Sequence, residues 1–271
     1  MSRISSIFYQ SGHTALISYI TVGYPSIEST LKVVPLLASS GCDIVELGIP
    51  FSDPLADGTT IQRASFRALE NGVTPELCLE VAKQLSREVN TPLVFMTYFN
   101  PILSYGLKEF CTACTKCGVD GLIVPDLLPD EGSELETITQ GQGLDLIYLL
   151  APTSTQERIK LVAQRSRGFI YLVSVAGVTG ARSSLPSNLD KFVAGVRKVT
   201  ARPLCVGFGI STPEQASQVA RLADGVIVGS RIIQLMETED NFITPISNFI
   251  RGLRHALDES TGEEKIKRGL E

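Results

Sequence analysis

Eight short runs rich in apolar and β-branched residues, each separated from the next by a helical pattern, constrain this chain more than any other feature. They lie at approximately 15–21, 43–47, 93–98, 121–124, 144–149, 170–174, 204–208 and 225–228. Most are nearly continuous apolar stretches, as expected of strands buried on both faces of a parallel sheet. Helical patterns at 27–39, 75–88, 155–165, 189–199 and 213–221 alternate with them, several opened by a hydroxyl cap such as Thr74, Ser154 or Thr212. Eight strand-helix units without a long linker predict closure into a single (β/α)8 barrel. The length of 271 residues, 44% hydrophobic, suits one such domain spanning 1–271, with 259–271 read as a loosely ordered tail.

A short repeat supports the reading. Gly41-Cys42-Asp43, Gly118-Val119-Asp120 and Leu222-Ala223-Asp224 each set an aspartate just before an apolar strand. These are helix-to-strand turns at the stability end of a barrel, so the repeat is structural and function belongs at the opposite strand ends.

Charge and composition narrow the function classes. A net charge of −5 with no basic run leaves nothing to hold a polyanion, so nucleic acid is not an expected partner. No segment approaches the roughly 18 uninterrupted apolar residues of a membrane span, and residues 1–10 carry no secretory core, so a cytoplasmic location is expected. Six cysteines then read as reduced thiols. The spacing Cys111-x-x-Cys114-x-x-Cys117 resembles a metal-binding motif, but on a helix these positions drift around the axis, and a fourth ligand has no source. They are read as small helix residues, and no metal is expected. His13 and His255 have no Ser or Cys partner for a triad, and neither a Walker-type loop nor a dinucleotide fingerprint follows a strand.

Glu46 is the first chemical anomaly. It sits inside the run Ile44-Val45-Glu46-Leu47, where a carboxylate is costly to bury. Strand alternation sets Ile44, Glu46 and Gly48 on one face. If that face is the barrel interior, an apolar setting raises the pKa and suits Glu46 to proton transfer. The competing reading is a structural carboxylate paired with a lysine or arginine. After it, Gly48 to Gly58 form a loop rich in Pro, Gly and Asp, which can fold over the mouth and offer Asp57 as a second carboxylate. Taken alone, Asp53 and Asp57 read as turn residues. Gly207-x-Gly209 and Gly229-Ser230, at two consecutive strand ends, suit a phosphate held by backbone N–H groups, or simply tight turns. The small-residue run from Ser174 to Ser184 reads as a lid or as a plain surface loop. Tyr98 and Tyr171, taken alone, read as core aromatics.

The stretch from Glu46 to Gly58 closely resembles the signature of tryptophan synthase alpha subunits. Further matches run in order through Tyr19-Ile20-Thr21-Val22-Gly23, Met96-Thr97-Tyr98, Gly177-Val178-Thr179-Gly180, Gly207-Phe208-Gly209-Ile210 and Gly229-Ser230. The resemblance implies retro-aldol cleavage of indole-3-glycerol phosphate to indole and glyceraldehyde 3-phosphate. It implies no cofactor in this chain, and an alpha2beta2 assembly in which indole passes to a beta subunit carrying pyridoxal phosphate. It assigns general acid-base work to Glu46 and the indole N–H to Asp57. Phosphate would sit on Gly180, Gly209, Gly229 and Ser230, and indole against Tyr19, Met96, Tyr98, Tyr171 and Phe208, with Thr179 of the lid meeting Asp57. Pro50 and Asp53 would face the beta subunit. Thr59 departs from the family's usual proline, and Val175 from a lid position that can be basic. A free-standing lyase of the same lineage, a non-catalytic activating subunit and a related Amadori-type isomerase are the alternatives.

Overall fold

The computed structural model describes residues 1–9, 12–173, 188–207, 209–238 and 241–268. Among these residues nine strands form one parallel sheet: β1 (Ala15–Thr21), β2 (Ile44–Gly48), β3 (Leu93–Met96), β4 (Gly121–Ile123), β5 (Asp145–Ile147), β6 (Leu149–Leu150), β7 (Ile170–Val173), β8 (Leu204–Gly207) and β9 (Gly225–Val228). Their order is β5-β4-β3-β2-β1-β9-β8-β7-β6. β5 and β6 are separated only by Tyr148, whose carbonyl accepts from Tyr171 N–H at 3.0 Å. One segment therefore pairs with β4 through its first half and with β7 through its second. This closes the sheet, and the fifth expected strand is the one that appears as two.

Period-2 alternation divides the apolar residues into two cores. Leu16, Ile20, Val45, Leu47, Phe95 and their counterparts face outward against the helices. Ala15, Ile17, Ile44, Val94, Ile123, Ile147, Cys205 and Ile227 fill the barrel, joined by Ile4 of the helix Arg3–Ile7, which plugs its N-terminal end. Cys111 and Cys114 pack into the outer core on the helix Leu107–Lys116, and Cys117 caps that helix.

The repeated aspartates have a common function at this end. Asp43 Oδ2 accepts from Leu16 N–H at 2.7 Å, Asp120 Oδ2 from Leu93 N–H at 3.0 Å and Asp224 Oδ2 from Leu204 N–H at 2.7 Å. Each completes the ladder at the start of the neighbouring strand, and each meets an arginine: Arg254, Arg3 and Arg197 respectively. The caps lie nearly where expected. Thr74 and Thr212 accept from Leu77 and Gln215 N–H. In the helix Gln156–Arg165 the cap is Thr155, one residue after the expected Ser154. Thr155 has the extended backbone of a cap, while Ser154 Oγ accepts Ala151 N–H in the preceding turn.

Candidate active site

A cavity of about 480 Å³ opens at the C-terminal ends of the strands. Tyr19, Asp57, Met96, Tyr171, Gly209, Gly229 and Ser230 line it, so seven of the expected site residues come together. Among the described residues the wall does not include Glu46 or Tyr98. Thr179, Gly180 and Phe208, with the whole expected lid, lie outside the described residues.

Glu46 lies on β2 between Tyr19 of β1 and Val94 of β3. It is fully buried, and among the described residues neither carboxylate oxygen has a hydrogen-bond partner. Its charge acts on Tyr19, Tyr171 and Cys205, all of which point into the barrel. The side chain thus faces inward, and the competing reading, a carboxylate paired with a lysine or arginine, does not apply. Burial alone pushes its pKa up to about 8, because the charged form has lost its water and gained no partner.

Asp57 is set by its loop. Its N–H donates to the Pro54 carbonyl at 3.0 Å, and its own carbonyl accepts from Gln62 Nε2 at 2.9 Å. Ala56 N–H donates to Tyr98 Oη at 2.9 Å, and Tyr98 stacks at a tilt on Phe51 with ring centroids 5.3 Å apart. Tyr98 therefore holds the carboxylate loop instead of lining the cavity. Burial raises the Asp57 pKa to about 6, and the hydrogen bond from Tyr98 partly offsets the rise. Thr59 opens the helix Thr59–Glu70 after Gly58, whose backbone (φ −80, ψ 165) is already extended. That geometry would also accept a proline at 59. Asp53 is exposed and Pro50 is buried, so only Asp53 of that pair presents its side chain outward.

Gly48 and Gly207 shape the floor in a way the sequence did not indicate, although Gly207 was read there as part of a phosphate or turn motif. A Cβ on Gly48 would collide with the Tyr19 hydroxyl, and one on Gly207 would lie 2.8 Å from that of Tyr171. The strand ends stay bare so that the two rings can lie across the barrel above Glu46. Gly229 similarly adjoins the Tyr19 ring, while Gly209, at φ +70, makes a turn that glycine adopts readily. The opposite wall, Pro125, Leu127 to Pro129 and Arg158, was also missed. For the loop residues, their position after a barrel strand was the available signal; Arg158 on the helix Gln156–Arg165 had none.

Comparison with known proteins bears on the chain as a whole. The family model described as "Tryptophan synthase alpha chain" matches residues 7–254. A tryptophan synthase alpha chain of Dehalococcoides mccartyi is 59% identical over 258 residues, covering 95% of this chain and 100% of its own. One from Geobacter sulfurreducens is 47% identical over 262 residues, covering 95% and 99%. Among solved structures, Mycobacterium tuberculosis tryptophan synthase superposes with a TM-score of 0.89 at 37% identity, covering 95% of this chain and 98% of that one. The tryptophan synthase subunit alpha of Legionella pneumophila gives 0.87 at 36%, covering 96% and 99%.

Proposed function

Because the chain belongs to the tryptophan synthase alpha chain family, whose members cleave indole-3-glycerol phosphate in tryptophan biosynthesis, we propose that Glu46 and Asp57 carry out that cleavage here. The enzyme is a carbon–carbon lyase that yields indole and glyceraldehyde 3-phosphate. The observation that carries the assignment is one carboxyl group buried beside the cavity and a second in its wall, held by burial at pKa values of about 8 and about 6. At neutral pH the first is protonated and the second ionised, so a single site offers both a proton donor and an anion.

In the proposed sequence Glu46 donates its proton to C3 of the indole ring, and the Asp57 carboxylate stabilises the positive charge that develops at the ring N–H. The Glu46 carboxylate then takes the proton from the hydroxyl on the adjacent glycerol carbon. That oxygen becomes the aldehyde carbonyl, the C–C bond breaks, and its electron pair returns to the ring. Glu46 ends protonated, so the step balances without an oxidant or reductant. Reaching the substrate requires Glu46 to turn from beneath the two tyrosines toward the cavity. It leaves no hydrogen bond behind when it does so, and a substrate hydroxyl would give it one. Gly209, Gly229 and Ser230 take the phosphate at the start of the helix Ser230–Thr238, where unpaired N–H groups favour an anion.

Indole passes to a beta subunit in this reading. Leu55, Leu103 and Leu128 are exposed on the consecutive segments that follow β2, β3 and β4, a rim of apolar residues around the mouth that suits a protein partner. Among the described residues no helix is long and apolar enough to cross a membrane, in keeping with a cytoplasmic enzyme. The test is indole release from indole-3-glycerol phosphate. Glu46→Gln, which keeps size and neutrality, is expected to lower kcat by about 10² to 10⁴ with an unchanged fold. Wild-type turnover in that variant would refute the assignment.

A further inference from the structure

The cavity wall facing the phosphate glycines is held by one helix. Arg158 and Arg165 stand seven residues apart on Gln156–Arg165. Seven residues are close to two turns, so both leave the same face. Both grip the loop after β4. Arg158 Nη2 lies 2.9 Å from Asp130 Oδ2, and Arg165 Nη1 donates to the Pro129 carbonyl. Immediately before these two adjacent anchors the loop presents Leu127 and Leu128, with Pro129 itself, to the cavity.

The two anchors differ in depth. Arg165 also approaches Glu136 at 3.5 Å, and Glu136 accepts from the buried Tyr148 at 2.7 Å, which ties this anchor to the barrel wall itself. The outer pair has no such support. Asp130 is 61% exposed and Arg158 27%, and among the described residues Arg158 Nη1 has no partner. The inner anchor is therefore fixed, and the outer one can open while the loop stays attached at its base.

Position around the barrel says which part of the substrate meets this pair. With β5 and β6 counted as one strand, β4 lies four places from β9 in a ring of eight, directly across the mouth. A substrate whose phosphate sits after β9, and whose reacting carbon lies over Glu46 at the centre, must extend its indole toward the loop after β4.

We propose that Arg158 and Asp130 form a positioning strap over the indole end of the cavity, holding Leu127 and Leu128 against the ring and so setting the affinity for indole without affecting the phosphate end. The inference rests on the reading that this cavity holds the substrate. Loss of the pair lowers the population of the closed rim, and affinity falls with that population. A half-exposed ion pair of this kind corresponds to an effect between about 1.4- and 5-fold.

Running the lyase backwards, with indole and glyceraldehyde 3-phosphate as substrates, reads the two ends separately. Arg158→Gln and Asp130→Asn are each expected to raise KM for indole by about 1.4- to 5-fold and to leave KM for the aldehyde phosphate unchanged. The exchanged pair, Arg158→Asp with Asp130→Arg, should recover the wild-type value. Added salt should raise KM for indole in the wild type but not in Arg158→Gln. An unchanged KM for indole, an equal rise in both constants, or no recovery in the exchanged pair overturns the strap. Ser230→Ala, measured alongside, separates the two readings. If it raises KM for the aldehyde phosphate while the Arg158 variants do nothing, only the strap fails. If none of the variants moves either constant, the cavity reading fails with it.

Discussion

A fully buried carboxyl group without a hydrogen-bond partner weakens a fold whenever it is charged, and among the described residues Glu46 is such a group. Its folded pKa of about 8 stands above the ordinary 4.5, so the native state binds the proton more tightly than the unfolded chain does. The stabilisation from that proton is complete below the unfolded pKa and is lost as pH rises through the folded one. Urea midpoints at pH 5 and pH 8.5 should therefore fall for the wild type relative to Glu46→Gln, and parallel behaviour of the two proteins would show that Glu46 is not held neutral. Glu46 was legible in the sequence because a carboxylate in an oily strand is rare. Asp57 was ambiguous, since its loop contains several turn-forming residues, and only its hold by Tyr98 and Gln62 marks it out. Arg158 was not legible at all: in the first turn of a helix it looks like any surface charge. The need for glycine at 48 and 207 depends on rings contributed by neighbouring strands, which no local pattern encodes.

Among the secondary-structure elements, the repeated aspartate is the most readable device. Sequence spacing assigned it to the structural end, and its chemistry there is an acceptor for the first N–H of the adjacent strand. Asp120→Ala would leave Leu93 N–H without that acceptor in a buried setting and release Arg3, at a cost of about 1–3 kcal/mol. Urea denaturation should show this loss with kcat unchanged, because the site lies at the other end of the barrel. A drop in kcat without a loss of stability would contradict the division of labour. Strand starts were read within a residue or two, while ends were overestimated where a side chain turns to another task. The third run was carried to Tyr98, yet β3 stops at Met96 because Tyr98 already caps the helix Phe99–Tyr105, whose first N–H donates to Asp126. The fifth run breaks at Tyr148, where the chain changes from pairing with β4 to pairing with β7.

At the scale of the whole molecule, eight alternating units predicted the barrel, and closure through one broken strand completes it. Closure gathers residues from distant parts of the sequence: the phosphate glycines after β8 and β9, the two carboxyls after or within β2, and the apolar wall after β4. The sequence alone could name the first two sets, since each is a compact motif. The third emerges only once the ring of strands sets opposite sides of the mouth. The central claim is that this closed barrel keeps one carboxyl protonated and the other ionised at neutral pH. Its most direct test is the pH dependence of kcat/KM for indole-3-glycerol phosphate, which reports the ionisations of the free enzyme. The account predicts a bell with limbs near 6, from Asp57, and near 8, from Glu46. Activity that continued to rise through pH 9, or stayed level down to pH 4, would contradict it.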